Sequence, residues 1–558
     1  MEVVIIAVII LAGLIIKGIY DRIQYEKKLI RKAVNDFGKE PKKDITYARA
    51  EAISYYSLHR PESKCHIDDT TWEDTDMPRI YGKLNSCFSA IGEEYLYYLL
   101  RNPSDSEEEL NERERVISHF MTDEKNRTDL GVKLLKIGSL KNISAYEYIN
   151  RLRDIETDNS LIHIVQALLL LAAIGTIFIN PVYGVLFTIV MFFVNVITYF
   201  KRKSLIEGYF TIVFYILRLL EQARELKKTG DSELNAYYDR IITLAGSFDR
   251  MKRNSVFIMS GAGAGPLELL FDYIKMAFHI DLIKFNTMLK EFSKHVDEFE
   301  GIFETVGYLD CMLAIASYRK LHEGKYTIPV TENGGKAFIS AQKLAHPLLI
   351  DPVTNDLETE KCILLTGSNA SGKSTFLKTV ALNAIFAQTI HTVLAESYKA
   401  SFFRVMSSIA LRDDIESGES YYIVEIKSLK RIIDRVAEPE EKIPVLCFID
   451  EVLRGTNTVE RIAASTQILK GLGNSSCLCL AATHDIELTQ LLECVFDNYH
   501  FEEQILDDEI RFDYRLKSGR ATSRNAINLL RIMGYSPETV NAAVNMAERY
   551  IDTGEWKA

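Results

Sequence analysis

A glycine-rich loop between an apolar strand and a helix constrains the fold of this 558-residue chain more than any other feature. The apolar run 362–366 precedes the loop and a helical pattern follows over 376–388. In such a loop, backbone N–H groups wrap phosphates, a lysine reaches the β and γ phosphates, and a hydroxyl binds Mg²⁺. We therefore predict a P-loop that binds ATP and Mg²⁺, with Lys373 on the phosphates and Ser374 on the metal. The loop residues are Gly367, Ser368, Asn369, Ala370, Ser371, Gly372, Lys373, Ser374 and Thr375.

Two further apolar strands end in residues that could complete this site. The strand 445–449 runs into Asp450 and Glu451, and the strand 478–482 runs into Thr483 and His484. Asp450 is expected to hold hydrated Mg²⁺ and Glu451 to act as general base on the attacking water. Because ligands of open α/β sheets bind at the carboxyl ends of strands, His484 is a candidate γ-phosphate sensor. A strand merely capped by solvated acids is the alternative for 445–451.

The segment between these motifs is an acidic loop, 413–425, that leads into a helix. Gly418 and Ser420 could present N–H and hydroxyl donors to an anion, although the residues alone indicate only a helix cap. After Pro329 short β-rich runs alternate with helical stretches, which predicts a mostly parallel α/β sheet with a domain boundary near 326–335.

Residues 161–200 contain no formal charge over forty positions and are interrupted by Asn180-Pro181. Each half approaches the ~20 residues needed to cross a bilayer, so the segment predicts a membrane hairpin, with a buried core hairpin as the alternative. The apolar run 3–16 is followed by basic residues, which favours a retained anchor over a cleaved signal peptide.

Positive charge fixes the expected orientation of these segments. Arg151 and Arg153 precede the hairpin, the basic triplet 201–203 follows it, and a basic run follows the first apolar segment. Such residues stay on the cytoplasmic side, so we expect a multi-pass protein of the cell membrane with its soluble domains in the cytoplasm. The net charge of −11 provides no general attraction to nucleic acid.

The rest of the chain is predicted to be mainly helical. Residues 21–160 and 204–325 show amphipathic helical patterning, broken in the second segment by a glycine run, 261–265. That run resembles a dinucleotide loop, but no strand precedes it, so a helix break is the better interpretation. The eight cysteines show no metal-type spacing and are consistent with a reducing cytoplasm.

The order of the motifs resembles that of the MutS family, a branch of the ABC-type ATPases. A weaker resemblance covers 69–72, 91–103 and 307–316, whereas the downstream segments 514–519 and 523–533 resemble the family's C-terminal strand and dimer-forming helices. The segments that carry the main resemblance are the loop 367–375, Asp413 to Ser420, Asp450-Glu451 with Arg454 to Thr458, Ala482-Thr483-His484, and Ala345 to Leu349.

The resemblance implies an α/β P-loop ATPase domain of the ABC type together with long core and lever helices. It also implies a homodimer, in which Gly418 and Ser420 of one subunit complete the ATP site formed by Lys373, Glu451 and His484 of the other. No counterpart of the family's mismatch-reading domain is visible, so a membrane-anchored variant without it is expected. The expected domains are an anchor (1–20), a core-like region (21–160), a membrane hairpin (161–200), a lever-like region (201–330) and the ATPase domain with dimerisation helices (331–558).

Two functions stay open at this point. The first is a MutS-like ATPase whose ATP cycle is coupled to mismatched, branched or damaged DNA near the membrane. The second is an ATP-driven conformational switch that acts on a membrane partner without binding DNA.

Overall fold

The computed structural model describes most of the chain, and its contacts divide the chain into two compact units. The helical unit comprises Met1–Arg60, Leu84–Tyr98 and Arg115–Leu321, and the sheet unit comprises Pro61–Lys83, Leu99–Glu114 and His322–Ala558. The described residues are 2–41, 46–140, 142–154, 160–226, 231–251, 273–334, 336–368, 371–409, 421–438, 443–506, 509–521, 527, 530–531 and 533–553. The glycine run 261–265 lies outside them.

The helical unit contains long helices whose apolar faces pack on one another. Its core includes α13, in which most side chains from Val296 to Arg319 are buried. The helices of this unit, with those that cross its boundaries, are α1 (Glu2–Asp36), α2 (Tyr47–Leu58), α5 (Ala90–Arg101), α6 (Glu107–Thr122), α7 (Glu124–Ile137), α8 (Ala145–Asp154), α9 (Ser160–Thr176), α10 (Pro181–Glu225), α11 (Asn235–Gly246), α12 (Ile280–Phe292) and α13 (Val296–Leu321).

Two buried carboxylates connect distant parts of the helical unit. Asp310 on α13 accepts hydrogen bonds from the backbone N–H groups of Phe88 and Ser89, at 3.0 and 2.8 Å, just before α5 begins. Glu94 on α5 accepts from the Ser144 hydroxyl at 2.9 Å and from the Ala145 N–H at 2.5 Å, where α8 begins. Free N–H groups at helix starts need such acceptors, so each carboxylate fixes the position of a helix end.

The predicted membrane hairpin is formed by α9 and the first half of α10. Asn180 caps α10 through the Tyr183 N–H, and Pro181 occupies the first turn, where its missing N–H costs nothing. Within the described residues, one helical segment is long and apolar enough to cross a membrane, Pro181–Ser204, with a mean hydropathy of 2.0 and 17% of its most apolar window buried.

Three spans are predicted from the sequence, and among the described residues this segment alone is both long and apolar enough to cross a membrane. Helix α9 has 17 residues, about 26 Å at 1.5 Å per residue, which is less than a hydrocarbon core of about 30 Å. The predicted anchor falls within α1, whose backbone is helical, but most side chains of its first fifteen residues lie outside the described part. Helix α10 continues without a break past residue 200 to Glu225.

Polar side chains lie on the inner side of the hairpin. His163 Nδ1 on α9 is 2.9 Å from His279 Nδ1, and His279 Nε2 is 2.9 Å from the carbonyl oxygen of Asn195 on α10. The Asn195 amide donates to the Ala277 carbonyl at 2.8 Å. The residues that lead into α12 therefore pack against both arms of the hairpin.

The sheet unit is an α/β domain, as the alternation of strands and helices predicts. Strands β4, β6, β7 and β8 are buried on both faces, which is typical of parallel strands covered by helices. The strands are β1 (Val330–Glu332), β2 (Ile339–Leu344), β3 (Asn355–Thr359), β4 (Cys362–Thr366), β5 (Ser397–Ser401), β6 (Arg404–Ser408), β7 (Val445–Asp450), β8 (Leu478–Ala482), β9 (Phe496–His500), β10 (Glu503–Leu506), β11 (Glu509–Phe512) and β12 (Lys517–Ser518).

The central sheet has the strand order β12-β9-β4-β8-β7-β6, and a second sheet has the order β1-β5-β2-β3. In the central sheet β9, β4, β8, β7 and β6 are mutually parallel, whereas β12 runs antiparallel to β9. The helices of this unit are α3 (Asp69–Asp74), α4 (Met77–Leu84), α14 (Lys373–Thr389), α15 (Tyr421–Val436), α16 (Thr458–Gly473), α17 (Ile486–Leu491) and α18 (Pro537–Thr553).

A short segment before the main domain covers the edge of the central sheet. Asp74 at the end of α3 accepts hydrogen bonds from the Ser407 hydroxyl at 2.7 Å and from the Ile409 N–H at 2.8 Å, and Thr71 accepts from the Ser407 N–H at 3.0 Å. An uncovered edge strand presents unpaired N–H and C=O groups, so this contact satisfies and protects β6.

Candidate active site

Three adjacent strands bring the predicted motifs together at the carboxyl ends of the strands of the central sheet. Strand β8 lies between β4 and β7, and all three are parallel. The Glu451 N–H donates to the Ala482 carbonyl and the Thr483 N–H donates to the Leu365 carbonyl, both at 2.9 Å. The residues that follow the three strands are therefore neighbours in space, although more than a hundred positions separate the first from the last.

The glycine-rich loop curls around the side chain of Lys373, the first residue of α14. Lys373 Nζ donates to the carbonyl oxygens of Gly367 and Ser368, each at 2.8 Å. Gly367 has a φ of 142° and Gly372 has a φ of 104°, a region that favours glycine. A Cβ on Gly367 would lie 2.7 Å from the Phe501 carbonyl oxygen, so the loop also needs glycine here for space.

The loop fits a phosphate group. The Ser371 hydroxyl is buried and has no hydrogen-bond partner in the described residues, and the N-terminal end of α14 favours a negative charge. Asn369 and Ala370 lie outside the described residues, and Thr375 is exposed at the start of α14.

The two predicted Mg²⁺ ligands are in contact. The Ser374 hydroxyl, on the second residue of α14, donates to Oδ2 of Asp450 at the end of β7. Mg²⁺ prefers one or two oxygen ligands from the protein and completes its shell with water and substrate phosphate oxygens. This hydroxyl–carboxylate pair beside the phosphate loop fits such an ion.

Glu451 lies among three basic side chains. His484 Nε2 is 2.7 Å from Glu451 Oε1, Arg454 forms an ion pair with the other oxygen, and Lys373 Nζ is 3.5 Å from His484 Nε2. Burial acts to raise the pKa of Glu451, but the His484 hydrogen bond and the charges of His484, Arg454 and Lys373 outweigh it and lower the pKa. The carboxylate is therefore held as an anion that can accept a hydrogen bond from water.

The backbone after Glu451 adopts an unusual conformation. Glu451 has a φ of 61° and Leu453 a φ of 58°, and for side chains other than glycine such conformations cost about 1–3 kcal/mol each. Neighbouring elements hold the segment in place: the Ser465 hydroxyl on α16 donates to the Val452 carbonyl at 3.2 Å, and Glu425 on α15 accepts from the Leu453 N–H.

A second ion pair supports His484. Arg461 on α16 donates from Nε and Nη2 to the two carboxylate oxygens of Asp485, at 2.9 and 2.6 Å. No role was assigned to Arg461, Arg454 or Glu425 from the sequence. Arg454 follows Glu451 by three positions within a segment that carries the family resemblance, whereas the contacts of Arg461 and Glu425 depend on how their helices pack.

The predicted trans signature falls in 410–420, so Gly418 and Ser420 lie outside the described residues. The described chain resumes at Tyr421, where α15 begins. The remaining described predictions, Lys373, Ser374, Asp450, Glu451 and His484, come together at one site.

Comparison with known proteins agrees with this geometry. Residues 363–550 match the family described as MutS domain V. The chain is 34% identical over 243 residues to the DNA mismatch repair protein MutS of Pseudothermotoga lettingae, covering 42% of this chain and 29% of the relative. It is 28% identical over 290 residues to the DNA mismatch repair protein MSH3 of Candida glabrata, covering 49% and 28%. It is 25% identical over 355 residues to the MutS protein of Chloroflexus aurantiacus, covering 61% and 34%.

Fold and site together define a P-loop ATPase domain. Residues 363–550 belong to the domain V family of MutS, which is the ATPase domain of those proteins. The chain spans about a third of the length of the curated relatives it matches.

Proposed function

We propose that this protein binds and hydrolyses ATP at the site described above. The observation that carries the proposal is the arrangement of Lys373, Asp450, Glu451 and His484 around the end of one phosphate-binding loop. Lys373 and the N–H groups of the loop bind the β and γ phosphates. Mg²⁺, held by Ser374 and Asp450, supplies charge neutralisation on the phosphate oxygens.

Glu451 orients the attacking water and accepts its proton, since the carboxylate is charged and lies next to the phosphate loop. His484 contacts both Glu451 and Lys373, so it is placed to respond to the γ-phosphate. In-line attack on the γ-phosphate then yields ADP and inorganic phosphate.

The site is completed in an ABC-type homodimer. This part of the proposal rests on family membership, because the trans signature with Gly418 and Ser420 precedes α15 in the sequence, as the resemblance requires. ATP bound between two subunits stabilises the dimer, and hydrolysis weakens it.

ATP turnover is coupled to DNA that is mismatched, branched or damaged. The relatives that match are named DNA mismatch repair proteins, and this supports a repair-related role. The chain acts at the cell membrane as a multi-pass protein, with both soluble parts in the cytoplasm. The exposed apolar surface of Pro181–Ser204 supports this location.

A second function is favoured by the course of α10. This helix runs for 45 residues from the apolar hairpin into the buried core of the helical unit. An ATP-driven switch could therefore act on a membrane partner through the hairpin without any contact with DNA.

The site is tested with two variants of the full-length protein in detergent. Glu451→Gln should bind ATP with wild-type affinity but hydrolyse it at least about 100-fold more slowly, because it cannot accept the proton. Lys373→Ala should weaken ATP binding itself. Wild-type turnover in either variant would overturn the assignment.

The coupling is tested by measuring the ATPase rate of the wild-type protein with mismatched, forked and junction DNA, with homoduplex DNA as the control. Stimulation by one DNA class, with a steep salt dependence, supports the DNA role. Hydrolysis that is indifferent to every DNA favours the membrane-partner switch.

A further inference from the structure

Helix α15 contacts the catalytic loop through a buried carboxylate. Glu425 is 2% exposed, and its Oε1 accepts a hydrogen bond from the Leu453 N–H, two residues after Glu451. The other oxygen, Oε2, is buried and has no hydrogen-bond partner in the described residues. Burying a carboxyl group with one oxygen unpaired is costly, so the contact requires an explanation.

Burial raises the pKa of Glu425, and the negative charge of Glu451 acts in the same direction against the hydrogen bonds from the N–H groups of Leu453 and Arg454. The two carboxyl groups are thus close enough to influence each other.

A second contact joins the same helix to the same loop. Gly455 lies against the side chain of Tyr422, and a Cβ on Gly455 would be 3.0 Å from Tyr422 Cδ2 and 3.1 Å from its Cβ. The loop therefore approaches α15 closely at Gly455 and is hydrogen-bonded to it at Leu453. Tyr422 and Glu425 are three positions apart and so face the loop from the same side of the helix.

The loop needs such support because of its backbone. The positive φ angles of Glu451 and Leu453 persist only where surrounding contacts impose them. The Ser465 hydroxyl on α16 donates to the Val452 carbonyl, and Glu425 on α15 accepts from the Leu453 N–H. The peptide group between Val452 and Leu453 is therefore held from two helices. A displacement of α15 along its axis would move the Leu453 N–H and release the conformation that directs Glu451.

We infer that Glu425 is a positioning residue, which with Tyr422 links the start of α15 to the catalytic carboxylate of the same subunit. The inference rests on the proposed function.

The test uses substitutions at Glu425 in the full-length protein. Glu425→Ala removes the acceptor and should lower kcat at least tenfold while the KM for ATP changes less than about twofold. Glu425→Gln keeps an acceptor oxygen for the Leu453 N–H and should retain kcat within about threefold. A residue that only stabilised the fold would change KM and thermal stability together.

Ser428→Ala is the matched control, because Ser428 is buried one turn further along α15 and its hydroxyl has no partner in the described residues. Gly455→Ala tests the same link from the loop side if Glu425→Ala fails to fold, and it should also lower kcat. Wild-type kcat in Glu425→Ala or Gly455→Ala would overturn the inference. The proposed function would still stand in that case, provided that the wild type hydrolyses ATP and Glu451→Gln does not.

Discussion

The two units of this protein use buried polar side chains in different ways. In the sheet unit, the site residues meet because of where the parallel strands end. Asp450 and Glu451 come at the end of β7, and Lys373 begins the helix that follows β4. In the helical unit, Asp310 and Glu94 bind helix starts 221 and 51 positions away, outside any recurrent motif. Polar side chains therefore converge on one candidate site in the sheet unit, whereas buried carboxyl groups fix the packing of helices in the helical unit.

The largest effect of pH on stability is expected in the helical unit, at Glu94. Burial raises its pKa from the ordinary 4.5 to about 8, so the folded helical unit binds one proton more than the unfolded chain between these values. Its stability should fall as pH rises from 4.5 to 8, by at most about 5 kcal/mol at about 1.4 kcal/mol per pKa unit. Hydrogen exchange of α5 and α8 in the full-length protein, corrected for intrinsic rates, measures this fall.

Glu94→Gln should abolish most of that pH dependence, since the amide does not titrate and its oxygen can still accept from the Ala145 N–H. Glu221→Gln is the control, at an exposed position on α10. An unchanged pH profile in Glu94→Gln would show that another group is responsible.

The sheet unit should respond to pH with the opposite sign, through His346. Burial, aided by the charge of Lys378, lowers the pKa of His346 from 6.5 to about 4, and its Nδ1 accepts the Leu348 N–H at 3.1 Å. The unfolded chain then binds more protons between pH 4 and 6.5, so stability should fall as pH drops through this window, by on the order of 3 kcal/mol. Exchange of β2 and α14 amides in His346→Gln, with His66→Gln as the control, checks the assignment. Equal profiles for both variants would contradict it.

The smallest expected effect concerns the Arg461–Asp485 pair. Arg461→Ala should lower kcat about tenfold, about 1.4 kcal/mol, because Asp485 would no longer hold the segment that carries His484. The KM for ATP should change little, since Lys373 and the loop are untouched. Lys470→Ala, at an exposed position of the same helix, is the control. A change in KM alone would indicate that the pair serves ATP binding instead.

The sequence could indicate which residues of the proposed ATP site lie together, because they occupy fixed positions relative to local elements. A loop between a strand and a helix, or a carboxylate at a strand end, has the same geometry wherever parallel strands are adjacent, and in the structure Ser374 lies beside Asp450 and His484 beside Glu451. The supporting contacts could not be predicted in this way. Nothing near Glu425 in the sequence indicates that it will meet Leu453, because that contact depends on how α15 packs on the sheet.

In the helical unit, even fewer of the contacts between helices could be predicted from the sequence. Its amphipathic patterns predict helices, but 3.6-residue periodicity does not reveal which helix start lies next to Asp310 or that His163 will meet His279. Hydropathy marks the first part of α10 as a membrane candidate and the basic triplet 201–203 ends that apolar run, but neither feature shows that the helix itself continues to Glu225.

The continuity of α10 has a mechanical consequence. A helix of 45 residues at 1.5 Å per residue is about 68 Å long, and its last turns are clamped by the packed core around Leu219 and Ala223. Pro181 lies about 57 Å from Leu219 along this helix, so a stiff rod pivoting at Leu219 converts an angular deflection of about 5° into a displacement of about 5 Å at Pro181. Rearrangements too small to disturb the core would thus become, at the hairpin tip, movements comparable to a full helical turn.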